Sequence, residues 1–216
     1  APIEWVKAVR KICDENGILL VADEVQTGFC RTGRMFATNY WEESGVQPDI
    51  LATAKSIAAG VPLSAIVARE EIMEASAPGT IGGTFCGNAL ACAAALKTIE
   101  IMERDDIAGR SCEIGEKVSK RFNEWKEKYP VIGDVRGLGG MIGLEFVKDQ
   151  KTKEPYPEFS AAVIKGCAQK GLMIEGAGTY GNVIRFLAPL VMTDEQLEAG
   201  LDTVSYTHLT LPTILR

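Results

Sequence analysis

A single histidine, His208, stands in this chain of 216 residues, and it lies close to the C-terminal end. Ser-His, Cys-His and His-metal mechanisms each turn on an imidazole as base or ligand, so the chain is poor in the residue those chemistries need. The six cysteines (Cys13, Cys30, Cys86, Cys92, Cys112 and Cys167) include no pair at C-x-x-C spacing, which argues against a zinc knot. In a chain of this size with no export signal they read as reduced thiols of a cytoplasmic protein. No apolar run reaches the length of a bilayer. The opening APIEWVKAVRK lacks the basic start, apolar block and small-residue cleavage site of a signal peptide. No Lys/Arg-rich tract appears and the net charge is -6, which argues against nucleic acid or an anionic membrane as partner. There is also no G-x-x-x-x-G-K-[ST] run, no internal repeat and no low-complexity linker.

What is present is an ordinary globular composition, 46% hydrophobic and 24% charged, in a length that holds one large core or one large and one small domain. Residues 3–16 read as a helix that stops at Gly17. The chain thus opens in mid-helix, and the expectation is a fragment. ILLVADEV and PDILATA read as buried strands and SAIVA (64–68) as a third, with a short helix at 38–45. Short strands between helical stretches predict an α/β architecture with a largely parallel sheet. Asn88 is placed to cap a helix over 89–103, and 107–128 is amphipathic. Further on, 134–147 reads as a glycine-rich strand, 158–170 as a helix, and GLMIEGAG and NVIRFLAP as two more strands. Thr193 with Gln196 three positions later matches a capping box. The domain change is placed along the long helix near residue 97, giving units 1–97 and 98–204. The last twelve residues, SYTHLTLPTILR, break the pattern and read as a foreign tail, 205–216.

Four places have residues suited to chemistry. Asp23 closes an apolar strand, at the sheet edge where α/β proteins bind ligands, and shares a strand face with Val25. A ligand contact, a magnesium-holding acid of a P-loop ATPase with Glu24 beside it, and a plain loop cap are equally open there. Lys55 follows a strand; desolvated, it becomes an amine nucleophile, but most such lysines are merely solvated. The loop IGGTFCGN (81–88) offers backbone N–H groups and the Thr84 hydroxyl to an anion, or is a simple turn before a cap. Arg185, in an otherwise apolar strand, calls for a carboxylate from a substrate or from the protein itself.

Taken in order, LLVADEVQTGFCRTGRMFA, PDILATAKSIAAGVPLSAIVA, GGTFCGNALACAAALKTIEI, IGDVRGLGGMIGLEF and NVIRFLAPL resemble the class III (ω-) aminotransferases of the fold-type I pyridoxal-phosphate enzymes, and within them the bacterial 4-aminobutyrate group. The resemblance covers about residues 3 to 204. It implies part of the large, mostly parallel-sheet α/β domain followed by a smaller C-terminal α+β domain. It implies pyridoxal 5'-phosphate as cofactor and transfer of an amino group from an ω-amino acid to a 2-oxo acid such as 2-oxoglutarate. Asp23 would pair with the pyridinium nitrogen, Val25 pack on the ring, and Gln26 hydrogen-bond near its phenolic oxygen. Lys55 would carry the cofactor covalently and then serve as acid/base. Thr84 would reach the phosphate of a neighbouring subunit's cofactor, which implies a homodimer, and Arg185 would clamp a substrate carboxylate. Cys30 and Ala89 depart from the family's more usual glycine and proline. An acetylornithine or ornithine aminotransferase, an amino-acid epimerase and an inactive fragment retain the same residues and stay open.

Overall fold

The computed structural model describes residues 1–80 and 82–208. It divides into two units, Ala1–Ala108 and Gly109–Arg216. In the first, helix α1 (Ile3–Asn16) ends at Gly17, whose left-handed backbone (φ 63°) sends N–H groups back to the last carbonyls. Strand β1 (Val21–Asp23) follows, then a long loop, the short α2 (Asn39–Glu42) and β2 (Ile50–Thr53). Strand β3 (Ala65–Ala68), α3 (Glu70–Glu74) and α4 (Ala89–Arg104) complete the unit.

The sheet order is β1-β2-β3. Strands β1 and β2 run parallel, with Asp23 opposite Ala52, whereas β3 returns antiparallel to β2. The sheet is therefore mixed, one of its two strand pairs parallel and the other antiparallel. Nor are its strands buried on both faces as their unbroken apolar runs suggest. Ala22 and Thr53 are buried, but Val21, Ile66 and Val67 are each more than half exposed. Runs of that kind belong to sheets covered on both sides, and here both faces keep exposed side chains among the described residues, Val21 and Ile66 on one and Val67 on the other.

Asp49, at the head of β2, joins the elements. Its carboxylate accepts from the Arg10 guanidinium of α1 (2.7 Å), the Leu20 backbone N–H (2.7 Å) and Arg69 beyond β3 (3.1 Å). The Leu20 N–H first, and then Arg10, hold this buried carboxyl below the usual carboxylate range. The apolar core gathers Phe29, Ile57, Ala58 and Ala95, with Met35, Phe36 and Val61 packed around them. Asn88 caps α4 as its position suggests, accepting from Leu90 N–H (2.9 Å) and Ala91 N–H (3.3 Å).

Helix α5 (Ile107–Lys128), nearly all of it in the second unit, buries Ile114, Val118, Phe122 and Trp125 at helical spacing. The glycine-rich stretch read as one strand is a hairpin, β4 (Ile132–Leu138) and β5 (Met141–Phe146), reversing at Gly139-Gly140. Helix α6 (Pro157–Gln169), β6 (Glu175–Ala177), β7 (Val183–Phe186) and α7 (Asp194–His208) follow. The sheet order is β4-β5-β7-β6, with every pair antiparallel. Ile142, Leu144, Phe146 and Ile184 are buried in its core beside Val163 of α6 and Leu197 and Leu201 of α7. The capping box forms as read: Thr193 N–H donates to Gln196 Oε1 (3.0 Å) and Gln196 N–H to Thr193 Oγ1 (3.2 Å). Helix α7 continues to His208, so the first four of the twelve tail residues are helical; 209–216 lie outside the described residues. Among the described residues, no helix is long and apolar enough to cross a membrane.

Candidate active site

Asp23 is the last residue of β1, and its exposed side chain stands at the carboxyl end of the strand. Its Oδ1 accepts from the Val25 backbone N–H at 3.0 Å, which folds the chain into a tight turn as it leaves the sheet. Val25 and Gln26, both half-buried, lie in that turn. On the neighbouring parallel strand, β2 ends at Thr53. Ala54 leaves the strand with φ -163° and ψ -142°, and Lys55 begins a 3₁₀ turn, Lys55–Ala58. Asp23, Val25, Gln26 and Lys55 thus gather at one end of a parallel strand pair, where α/β sheets bind their ligands.

Lys55 is exposed and has φ 45°. A side chain in left-handed backbone costs on the order of 1–3 kcal/mol, and such strain is kept where surrounding structure fixes it, often at functional sites. The fixing groups are visible: Ile57 and Ala58 of the turn are buried against Ala94 and Ala95 of α4. The turn is thus held by packing while the amine points out of the core.

The loop after Asp23 is organised by Glu24, which sequence reading offered only as a second metal-holding acid. Glu24 is 2% exposed. Its Oε2 accepts from the Thr27 hydroxyl (2.5 Å) and its Oε1 from the Thr38 backbone N–H (2.6 Å). A carboxylate so engaged is a loop anchor, and the magnesium reading has no acid left beside Asp23. The signal is alternation along the strand, in which Ala22 and Glu24 are buried while Val21 and Asp23 are exposed; Val25, in the turn beyond β1, no longer belongs to a strand face. Gly28 packs close within the same loop: a Cβ there would meet the Glu24 carbonyl oxygen at 2.9 Å and the Phe36 ring at 3.1 Å. Cys30 is buried at φ 67°, a backbone that favours glycine. Burial first, then the charges of Asp106 and Glu103, push its thiol above the ordinary range, which keeps it protonated.

Thr84 lies apart, on the exposed loop 82–88 that leads into α4. Arg185 belongs to the second unit, at the middle of β7. Its Nη2 donates to Glu175 Oε2 at 2.9 Å, so the carboxylate that meets it within the chain is the protein's own.

Comparison with known proteins fits this arrangement. The aminotransferase class-III family matches residues 1–207. The chain belongs to that family. Class-III aminotransferases depend on pyridoxal phosphate. Among relatives, a probable 4-aminobutyrate aminotransferase of Bacillus subtilis (strain 168) is 46% identical over 197 residues, 91% of this chain and 44% of the relative. The 5-aminovalerate aminotransferase DavT of Pseudomonas putida is 47% identical over 201 residues, 93% of this chain and 46% of the relative. An aminotransferase of Bacillus anthracis superposes with a TM-score of 0.89 at 35% identity, covering 98% of this chain and 49% of its own. An amine transaminase from an uncultivated Pseudomonas species, solved in its pyridoxal-phosphate-bound form, gives 0.85 at 32% identity over 96% of this chain and 48% of its own. The class-III chain described here therefore spans about half the length of the curated relatives it matches.

Proposed function

We propose that this class-III chain carries the cofactor lysine of a pyridoxal-phosphate-dependent aminotransferase. It takes the amino group of an ω-amino acid of the 4-aminobutyrate or 5-aminovalerate kind and passes it to a 2-oxo acid such as 2-oxoglutarate. The observation that carries this reading is Lys55 in strained left-handed backbone, one strand over from Asp23, at the carboxyl end of a parallel pair. The substrate class rests on the relatives that act on 4-aminobutyrate and 5-aminovalerate.

The residues present fit the cofactor. An exposed carboxylate, an exposed amine, an apolar side chain and an amide lie at one sheet edge, and the exposed 82–88 loop offers the Thr84 hydroxyl among glycines. Bound there, pyridoxal phosphate supplies an electron sink. Asp23 would hold a proton on the ring nitrogen. Val25 would pack on the ring and Gln26 would hydrogen-bond near the phenolic oxygen. Lys55 would hold the cofactor through its amine and would move the proton at the substrate carbon that bears nitrogen. Arg185 binds a substrate carboxylate through its planar guanidinium. Thr84 donates to the phosphate in the neighbouring subunit, so the active unit is a homodimer with two shared sites. The reading places the enzyme in the cytoplasm.

A donor panel tests this directly. The protein is loaded with pyridoxal phosphate and given 2-oxoglutarate with 4-aminobutyrate, 5-aminovalerate, ornithine or acetylornithine, and glutamate is measured. The straight-chain ω-amino acids should lead. Preference for ornithine or acetylornithine, or no glutamate from any donor, contradicts the proposal.

A further inference from the structure

We infer that Thr53 is a positioning residue for Lys55: its hydroxyl closes onto the Lys55 backbone N–H when the lysine carries the cofactor. The inference rests on the cofactor role proposed for Lys55 and adds to it a second state of the turn that holds the lysine. Thr53 is the last residue of β2 and is 3% exposed. Its Oγ1 is buried and meets no hydrogen-bond partner among the described residues. Its register partner on β3, Ala65, packs against Phe29, Ile57, Ala58 and Ala95, so the hydroxyl rises on the side of the sheet where that apolar cluster lies. A buried hydroxyl without a partner is costly, and a valine of the same shape would carry none of that cost.

Two residues on, the Lys55 backbone N–H donates to no carbonyl among the described residues, and Lys55 is held at φ 45°. A threonine hydroxyl that accepts from the N–H two residues later makes a common local turn. The neighbouring strand shows the closed form of such a turn, in which Asp23 Oδ1 accepts from the Val25 N–H at 3.0 Å. The two places lie one residue apart in register, since Asp23 is opposite Ala52 and the Glu24 N–H donates to the Ala52 carbonyl. At the end of β2 the acceptor and the donor are both present and the bond is not. Between them stands Ala54, extended at φ -163° and ψ -142°.

The turn thus has two arrangements. In the one observed, Ile57 and Ala58 are seated in the core, Lys55 is strained and the hydroxyl is unmet. In the other, rotation at Ala54 and Lys55 brings the N–H onto the hydroxyl and takes Lys55 out of the left-handed region. Closing orders the backbone of an exposed lysine, which costs conformational entropy. A side chain already tethered through its amine has lost part of that freedom, so closure is cheaper once the cofactor is attached, and attachment shifts the turn toward it.

Wild type, Thr53→Val and Thr53→Ser are compared with and without pyridoxal phosphate. Urea melts of the unloaded protein, the cofactor dissociation constant and hydrogen exchange at the Lys55 amide are measured. Thr53→Val is isosteric and removes an unmet hydroxyl, so the unloaded variant should melt at the same or higher urea than wild type. Its cofactor affinity should nevertheless fall about two- to tenfold, the scale of one hydrogen bond. Exchange at the Lys55 amide should slow on loading in wild type and in Thr53→Ser, which keeps the hydroxyl, but not in Thr53→Val. A purely structural threonine would lower stability and affinity together. If Thr53→Val destabilises the unloaded protein, binds the cofactor as tightly as wild type, or shows the wild-type slowing of exchange, the closure is refuted. Borohydride reduction separates this from the reading beneath it. An adduct on Lys55 with no effect of Thr53→Val sinks the closure alone, whereas a wild-type adduct on another lysine removes the cofactor role and the closure with it.

Discussion

Asp23 and Lys55 leave the first sheet from the carboxyl ends of adjacent parallel strands: Asp23 stands in register with Ala52, and Lys55 lies just past the end of the same strand. The acid and the amine are thereby placed by the sheet itself. The loops that follow them are pinned by Glu24 on one side and by Ile57 and Ala58 on the other.

Asp23→Asn should separate rate from binding. A proton held on the ring nitrogen stabilises charge that develops only in the transition state, so kcat should fall on the order of a hundredfold or more, while cofactor affinity changes little. Steady-state kinetics beside a cofactor titration checks this. A variant with near-normal kcat shows that Asp23 does not act on the ring.

Glu24→Gln should act through structure. An amide can keep its oxygen on the Thr38 N–H and turn its NH2 to the Thr27 hydroxyl, which must then accept, so both bonds persist but lose the charge that strengthens them. The loss should be about 2 kcal/mol, the scale for a hydrogen bond to a charged group, read by urea melts. If the melts coincide with wild type, Glu24 is not the loop anchor.

Much of this was legible in the sequence, and the misses have physical causes. The caps at Gly17, Asn88 and Thr193 each rest on a local rule, and all three are found. The hairpin at Gly139-Gly140 was read as one strand because glycines hide the reversal between two apolar runs. The strands of the first sheet carry apolar residues on both sides, which signals cover on both faces; the exposure of Val21 and Ile66 on one face and of Val67 on the other is not a property that periodicity records. The strain at Lys55 has no sequence signature, since nothing in AKS marks a positive φ. The Glu175–Arg185 pair has no sequence signal for a different reason: it is a matter of register, and register is set by strand pairing rather than by spacing along the chain.

Asp49 predicts how stability depends on acid. Its carboxyl is held below the ordinary range, so it contributes stability that is complete at neutral pH and is lost as pH falls through the depressed value. Wild-type stability should therefore begin to drop below about pH 4, where unfolded aspartates start to take up protons. Asp49→Asn should cost about 3 kcal/mol at pH 7, the scale for breaking a buried ion pair, and show a shallower acid limb. Equal acid limbs in chemical denaturation contradict the assignment.

Thiol reactivity should follow burial and charge. Cys86 is exposed on the loop beside Thr84, whereas Cys30 is buried with its thiol pushed up. A chromogenic disulfide reagent at mild alkaline pH should modify Cys30 only on unfolding, whereas Cys86 should react early in the separated chain and be protected wherever the loop meets a neighbouring subunit. Early modification of Cys30 in the folded protein means that the loop after Asp23 opens.

The central claim is that Lys55 bears the cofactor, and borohydride reduction followed by peptide mass spectrometry tests it most directly. The protein loaded with pyridoxal phosphate should show a visible absorption band that reduction abolishes. The reduced phosphopyridoxyl group should then be found on the peptide containing Lys55, and Lys55→Ala should lose both band and adduct. An adduct on another lysine, or an unchanged band in Lys55→Ala, contradicts the account.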